Sequence, residues 1–164
     1  MGEDCVGVMK NWFLSLTAVL LMPSGGMCVE ESVEGVPEGS PEAAALEVAA
    51  PLLENKKGFL LREDYWKGEL SQERGKAVRL QFFKGNSYKL ILATGAEAAG
   101  QGAKVFLQII DLDNKVAAAS QTGEKAGATA LVTVNPKKTG AHLVLMRVEG
   151  GRKSAPAVLF YGYE

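Results

Sequence analysis

The strongest constraint in this chain is a period-two alternation of apolar residues that resumes after a short polar turn. Val78, Leu80 and Phe82 share one parity, with Arg79 and Gln81 on the other. Lys84-Gly85-Asn86-Ser87 follows, and Tyr88, Leu90 and Leu92 then alternate again. Successive side chains of a strand face opposite sides, so this pattern marks a half-buried strand pair closed by a tight turn. The same reading predicts strands over 59–62, 66–70, 105–110, 116–120, 128–134, 142–148 and 158–163. Turn chemistry separates them: Gly95 to Gly102, Asp113-Asn114, Gly123 to Gly127, Asn135-Pro136, Thr139-Gly140 and Gly150-Gly151.

Eight or nine short strands within about 107 residues, with no convincing helix between them, imply an antiparallel β-sandwich of jelly-roll type. Parallel pairing needs helical crossovers that these spacings cannot hold. The expected domain spans residues 58–164. It contains no cysteine, and a unit of that size buries enough surface to stand without disulfides.

Charge divides the chain at the same boundary. Residues 1–54 carry one Lys/Arg against nine Asp/Glu, a net of −8, whereas residues 55–164 carry seventeen against ten, a net of +7. Such a split marks two kinds of segment. The first opens with Lys10 and an apolar run from Trp12 to Met22, then Pro23-Ser24-Gly25-Gly26. One cation, a short apolar stretch and small residues form the order of a signal peptide, expected here over residues 1–28. Glu3-Asp4 sits poorly in such a leader, and Met9-Lys10 makes a better start. The run is shorter than the ~20 residues of a spanning helix. Cleavage after Gly26 and lipidation at Cys28 both remain open.

Residues 29–57 are predicted to be an acidic flexible linker. They hold seven glutamates from Glu30 to Glu54, with Pro37, Pro41 and Pro51 and no aromatic residue. That composition buries too little apolar area to offset ordering at ~1–2 kcal/mol per residue. Pro41 to Ala50 suits a short helix, but ten residues in isolation are marginal.

Candidate chemistry is sparse. His142 is the only histidine, and it falls inside a predicted strand, which favours a structural or surface role over catalysis. Gly95 to Gly102 lacks the Gly-Lys-Ser/Thr ending of a phosphate loop and reads as a flexible connection. Asp111 and Asp113 are weak calcium candidates, although Asp-x-Asp-Asn before Lys115 is an ordinary turn sequence. The basic doublets Lys56-Lys57, Lys137-Lys138 and Arg152-Lys153 would hold an anionic polymer if the fold gathered two of them. Tyr161 and Tyr163 are candidate stacking surfaces for a sugar, whereas Trp66 and Phe160 are expected in the core.

A set of motifs adds a resemblance. Gly68-Glu69-Leu70, Val78-x-Leu80-x-Phe82 and Gly85-x-x-Tyr88-x-Leu90, then Asp111-x-Asp113-Asn114 and Thr139-Gly140-x-His142-x-Val144, resemble the bacterial pre-peptidase C-terminal domain over about residues 66–148. The resemblance implies a jelly-roll-like secreted accessory module. The chain departs from the family at Ser71-Gln72-Glu73-Arg74-Gly75-Lys76, where acidic residues are usual, and at His142, where an aromatic Tyr is usual.

The functional expectation is therefore a non-catalytic binding or accessory module, periplasmic, in the outer envelope or extracellular. It needs no cofactor. Its expected partner is a glycan, an anionic polymer or an envelope protein; nucleic acid is not expected, and a membrane only through a lipid anchor. The runner-up is a structural subunit of an envelope assembly, and an enzyme is the third class.

Overall fold

A computed structural model describes residues 35–54, 58–121 and 129–164. Helix α1 (Pro41–Glu54) is followed by β1 (Leu60–Leu61), β2 (Trp66–Ser71), β3 (Lys76–Phe82) and β4 (Tyr88–Thr94). A short helix α2 (Ala96–Ala99) precedes β5 (Lys104–Ile110), β6 (Val116–Gln121), β7 (Thr129–Val134), β8 (Gly140–Glu149) and β9 (Ser154–Tyr163). One sheet runs β1-β9-β4-β7, with β2 also paired to β9; the other runs β3-β8-β5-β6. All pairings are antiparallel. Strand order 2-9-4-7 facing 3-8-5-6 is a jelly-roll winding.

Alternation builds the core between the sheets. Tyr88, Leu90 and Leu92 of β4 meet Val105, Leu107 and Ile109 of β5 and Val144, Met146 and Val148 of β8 in one buried cluster. Full burial of such a side chain contributes about 1.5–3 kcal/mol. Asn114 takes a left-handed φ of 57° in the β5–β6 turn, a conformation that its short polar side chain tolerates.

The linker expectation needs correction over residues 41–54. This segment is a helix packed on the outer face of the first sheet. Ala45 and Ala49, four residues apart and fully buried, meet Ile91 and Ala93 of β4 and Val158 and Phe160 of β9. The start follows from sequence. Ser40 caps it, its Oγ accepting the Ala43 N–H at 3.1 Å, and Pro41 occupies the first turn. A tertiary partner supplies what an isolated ten-residue helix lacks. Residues 29–34 and 55–57 lie outside the described residues, as do the signal-peptide segment, Met9 and Cys28.

Lys67 of β2 ties down the helix start through Glu42. Burial raises the Glu42 pKa, but the hydrogen bond and charge of Lys67 outweigh it, and the carboxyl titrates below its usual value. A depressed carboxylate pKa stabilises the fold above the unfolded value and loses that contribution as pH falls through the folded one. The lysine is two-thirds exposed, so the pair is worth under ~1 kcal/mol. Glu42→Gln is expected to lower stability by no more than that at pH 7, measured by urea unfolding, with the difference vanishing in acid.

The Gly95–Gly102 connection also differs from expectation. It forms α2, whose Ala99 is buried and whose Ala99 carbonyl accepts the Arg152 N–H at 2.9 Å. His142 is buried on the core face of β8, 2% exposed, with its ring 5.1 Å from that of Phe82.

Candidate functional site

The two outer faces of the sandwich are unequal. Helix α1 covers the first sheet, whereas the outer face of the β3-β8-β5-β6 sheet carries no covering element among the described residues. Because Val78, Leu80 and Phe82 turn inward, the alternate residues of that sheet form the outer face. Register sets Ala77, Leu145, Gln108 and Ala119 in one row across all four strands. These four residues line a groove of about 730 Å³. Alanine at each end keeps the floor low and the groove open across about 14 Å, three strand spacings.

One wall of the groove is Arg147 and Phe106. The Arg147 guanidinium lies 4.8 Å from the Phe106 ring centroid, and its Nη2 donates to Glu149 Oε1 at 2.7 Å. Stacking and ion pairing together fix a planar donor group beside the floor. On the other side of the floor the next row of the sheet is Arg79, Leu143 and Ile110. Leu143 is 37% exposed, and Val116 of β6, past the extra residue Ala117, is 56% exposed. The floor's one polar side chain, Gln108, makes no hydrogen bond with the described residues.

A second cavity, of about 240 Å³, opens at one end of the sandwich between the β5–β6 turn and the β7–β8 loop. Here the fold brings together Asp111, Asp113, Lys137 and Lys138, and adds Lys115 and His142. Asp111 Oδ1 accepts the backbone N–H groups of Asp113 and Lys115, both at 2.9 Å. The Lys115 amide is the main reason that the Asp111 carboxyl titrates below its usual value. Both Asp113 oxygens accept from Lys138 Nζ at 3.0 Å. The carboxylates thus serve the turn and a lysine, in agreement with the turn sequence. No group of three or more His, Cys, Asp or Glu suited to a metal occurs among the described residues.

The doublets are not united. Lys137-Lys138 precede β8 and Arg152-Lys153 follow it, so ten strand residues, about 30 Å, hold the two at opposite ends. Lys56-Lys57 lie outside the described residues. Gln72 Nε2 instead braces the Arg152 turn, donating to the Gly150 and Arg152 carbonyls at 3.0 Å.

Tyr161 and Tyr163 are half-buried against the core. Tyr161 Oη donates to Asp64 Oδ2 at 2.8 Å, and Arg62 Nε donates to Asp64 Oδ1 at the same distance. Burial, then the bond to Asp64, raises the Tyr161 pKa. The Tyr163 ring lies 5.8 Å from that of Tyr88. Trp66 also packs half-buried on the core. Phe160 is buried on the other side of the sheet, beneath α1, with Tyr65 edge-on at 4.7 Å.

No protein-family model matches the chain, and no curated protein matches it significantly. No helix among the described residues is long and apolar enough to cross a membrane. The groove residues Phe106, Gln108, Leu145 and Arg147 belong to two separate alternations, those of β5 and β8, and only register brings them together. The one available signal was the polar parity of β5 and β8, which carries Phe, Ile and Leu where a solvated face has charges.

Proposed function

We propose that this protein is a non-catalytic binding module, exported to the cell envelope or beyond, that holds a glycan chain across the outer face of its β3-β8-β5-β6 sheet. One observation carries the reading: a helix covers one sheet, and no described residue covers the other, which has a groove at its centre. The groove crosses all four strands of its sheet, as a polymer requires. Its chemistry suits sugar: low apolar floor residues, the Gln108 amide, uncommitted among the described residues, and a stacked Arg147 guanidinium beside the floor for a ligand rich in hydroxyl or carboxylate oxygens. Export rests on the Lys10–Gly26 segment, and mature protein from the native host is expected to begin between Met27 and Val29. An intact Met1 there would refute it. Kinship with the pre-peptidase C-terminal family is part of the same proposal, supported by the quoted motifs and by a two-sheet winding of the expected kind.

The test uses the full chain on a panel of envelope and extracellular polysaccharides in affinity electrophoresis. Arg147→Ala is expected to weaken retention tenfold or more, since a hydrogen bond to a charged group is worth about 1.5–3 kcal/mol. Leu145→Asp should abolish retention by charging the floor. Retention unchanged in both variants would remove the groove from consideration. A second reading, a structural subunit docked through this face, draws on the exposed Leu143 and Val116. It predicts a co-purifying envelope protein that Leu143→Asp releases while polysaccharide retention is absent.

A further inference from the structure

The cavity at the β5–β6 end combines features that the open face does not explain. Its wall includes His142, a residue 2% exposed. His142 Nδ1 lies 3.0 Å from the Gly140 carbonyl oxygen. A carbonyl oxygen only accepts, so Nδ1 carries the proton and Nε2 of the singly protonated ring offers a lone pair. That lone pair has no partner among the described residues. A buried acceptor left unmatched is costly, and such groups are nearly always satisfied. Around the same cavity stand three ammonium groups. Lys138 is neutralised by Asp113, whereas Lys115 and Lys137 have no ion pair among the described residues. Asp111 is the remaining carboxylate, and its Oδ1 is held by two backbone amides.

The ligand that fits must bring negative charge for two lysines and a hydrogen-bond donor for Nε2. A phosphate group that keeps an O–H has both properties. Sulfate has the charge without the proton, and a neutral hydroxyl has the proton without the charge. We infer that this cavity binds free inorganic phosphate, whose forms at neutral pH all keep an O–H, through Lys115 and Lys137, with His142 Nε2 accepting the phosphate O–H. Its volume of about 240 Å³ leaves room for the anion and its nearest waters. The inference is independent of glycan binding on the sheet face, which shares none of these three residues.

The experiment is calorimetric titration of the full chain at neutral pH and fixed ionic strength. The probes are inorganic phosphate, glycerol phosphate, dimethyl phosphate and sulfate. Phosphate is expected to bind saturably, and sulfate and dimethyl phosphate at least tenfold more weakly, because neither offers an O–H. Glycerol phosphate, most of which has lost its phosphate O–H at neutral pH, is also expected to bind more weakly; binding as tight as that of inorganic phosphate would overturn the inference. Lys115→Ala with Lys137→Ala should weaken phosphate at least tenfold, with near-ultraviolet circular dichroism verifying the fold. Asp113→Asn should tighten it severalfold by releasing Lys138, a gain that general loss of structure cannot mimic. The inference is overturned by sulfate binding as well as phosphate, by a double lysine variant within twofold of the parent, or by no saturable binding at all.

Discussion

A chain beginning at Gly58 is expected to be less stable than one beginning at Gly35 by on the order of 2–4 kcal/mol, and to self-associate. The shorter chain lacks α1, which leaves Ile91, Ala93, Val158 and Phe160 facing water on the outside of the first sheet. Full burial of each large side chain is worth about 1.5–3 kcal/mol. Neighbouring strands retain part of that burial, and release of the helix regains conformational entropy, so the net loss is smaller than the sum. The uncovered strip lies on the central strands β9 and β4, and a contiguous exposed apolar patch promotes association. Urea unfolding and size-exclusion chromatography of the two chains provide the check. Equal midpoints with both chains monomeric would mean that the helix is not part of the folded unit.

The helix was hidden for a physical reason. Composition and length judge a segment as though it stood alone, and Pro41 to Ala50 alone is marginal. The information that it has a partner lies forty and more residues away. Leu90-Ile91-Leu92-Ala93 and Val158-Leu159-Phe160 are apolar on both parities, the mark of strands covered on both faces. Reading only the inward parity of β4 recovered the sandwich and missed the layer outside it. All nine strands were legible, because alternation and turn residues are local signals. The site was legible only in pieces. Asp111, Asp113, Lys137 and Lys138 were singled out one motif at a time, and their meeting depends on two loops folding to the same end of the sandwich. The separation of Lys137-Lys138 from Arg152-Lys153 was within reach, since both doublets flank the one strand that keeps them apart.

Phe82→Ala is expected to be the most damaging single substitution near the cavity, costing about 3–5 kcal/mol. Phe82 is fully buried at the end of β3 and joins both sheets through its ring contacts. It stacks on Tyr88 of β4 with centroids 4.4 Å apart and lies 5.1 Å from the His142 ring on β8. Tyr88 in turn touches Tyr163, and its Oη accepts the Phe83 N–H at 2.9 Å. Truncation opens a hole where these contacts converge, beside the His142 ring that lines the end cavity, and close-packed surroundings relax only partly around it. At roughly 3 °C per kcal/mol for a domain of this size, the melting temperature should fall by about 9–15 °C. Phe82→Leu preserves most of the volume and should cost well under half as much. The pair separates packing from chemistry. If phosphate binding depends on Lys115, Lys137 and His142, the leucine variant should retain it within a few fold while folded, and the alanine variant should lose it as His142 loses its support. A melting temperature within 3 °C of the parent for Phe82→Ala would show that the aromatic contacts at this end do not hold the sheets together.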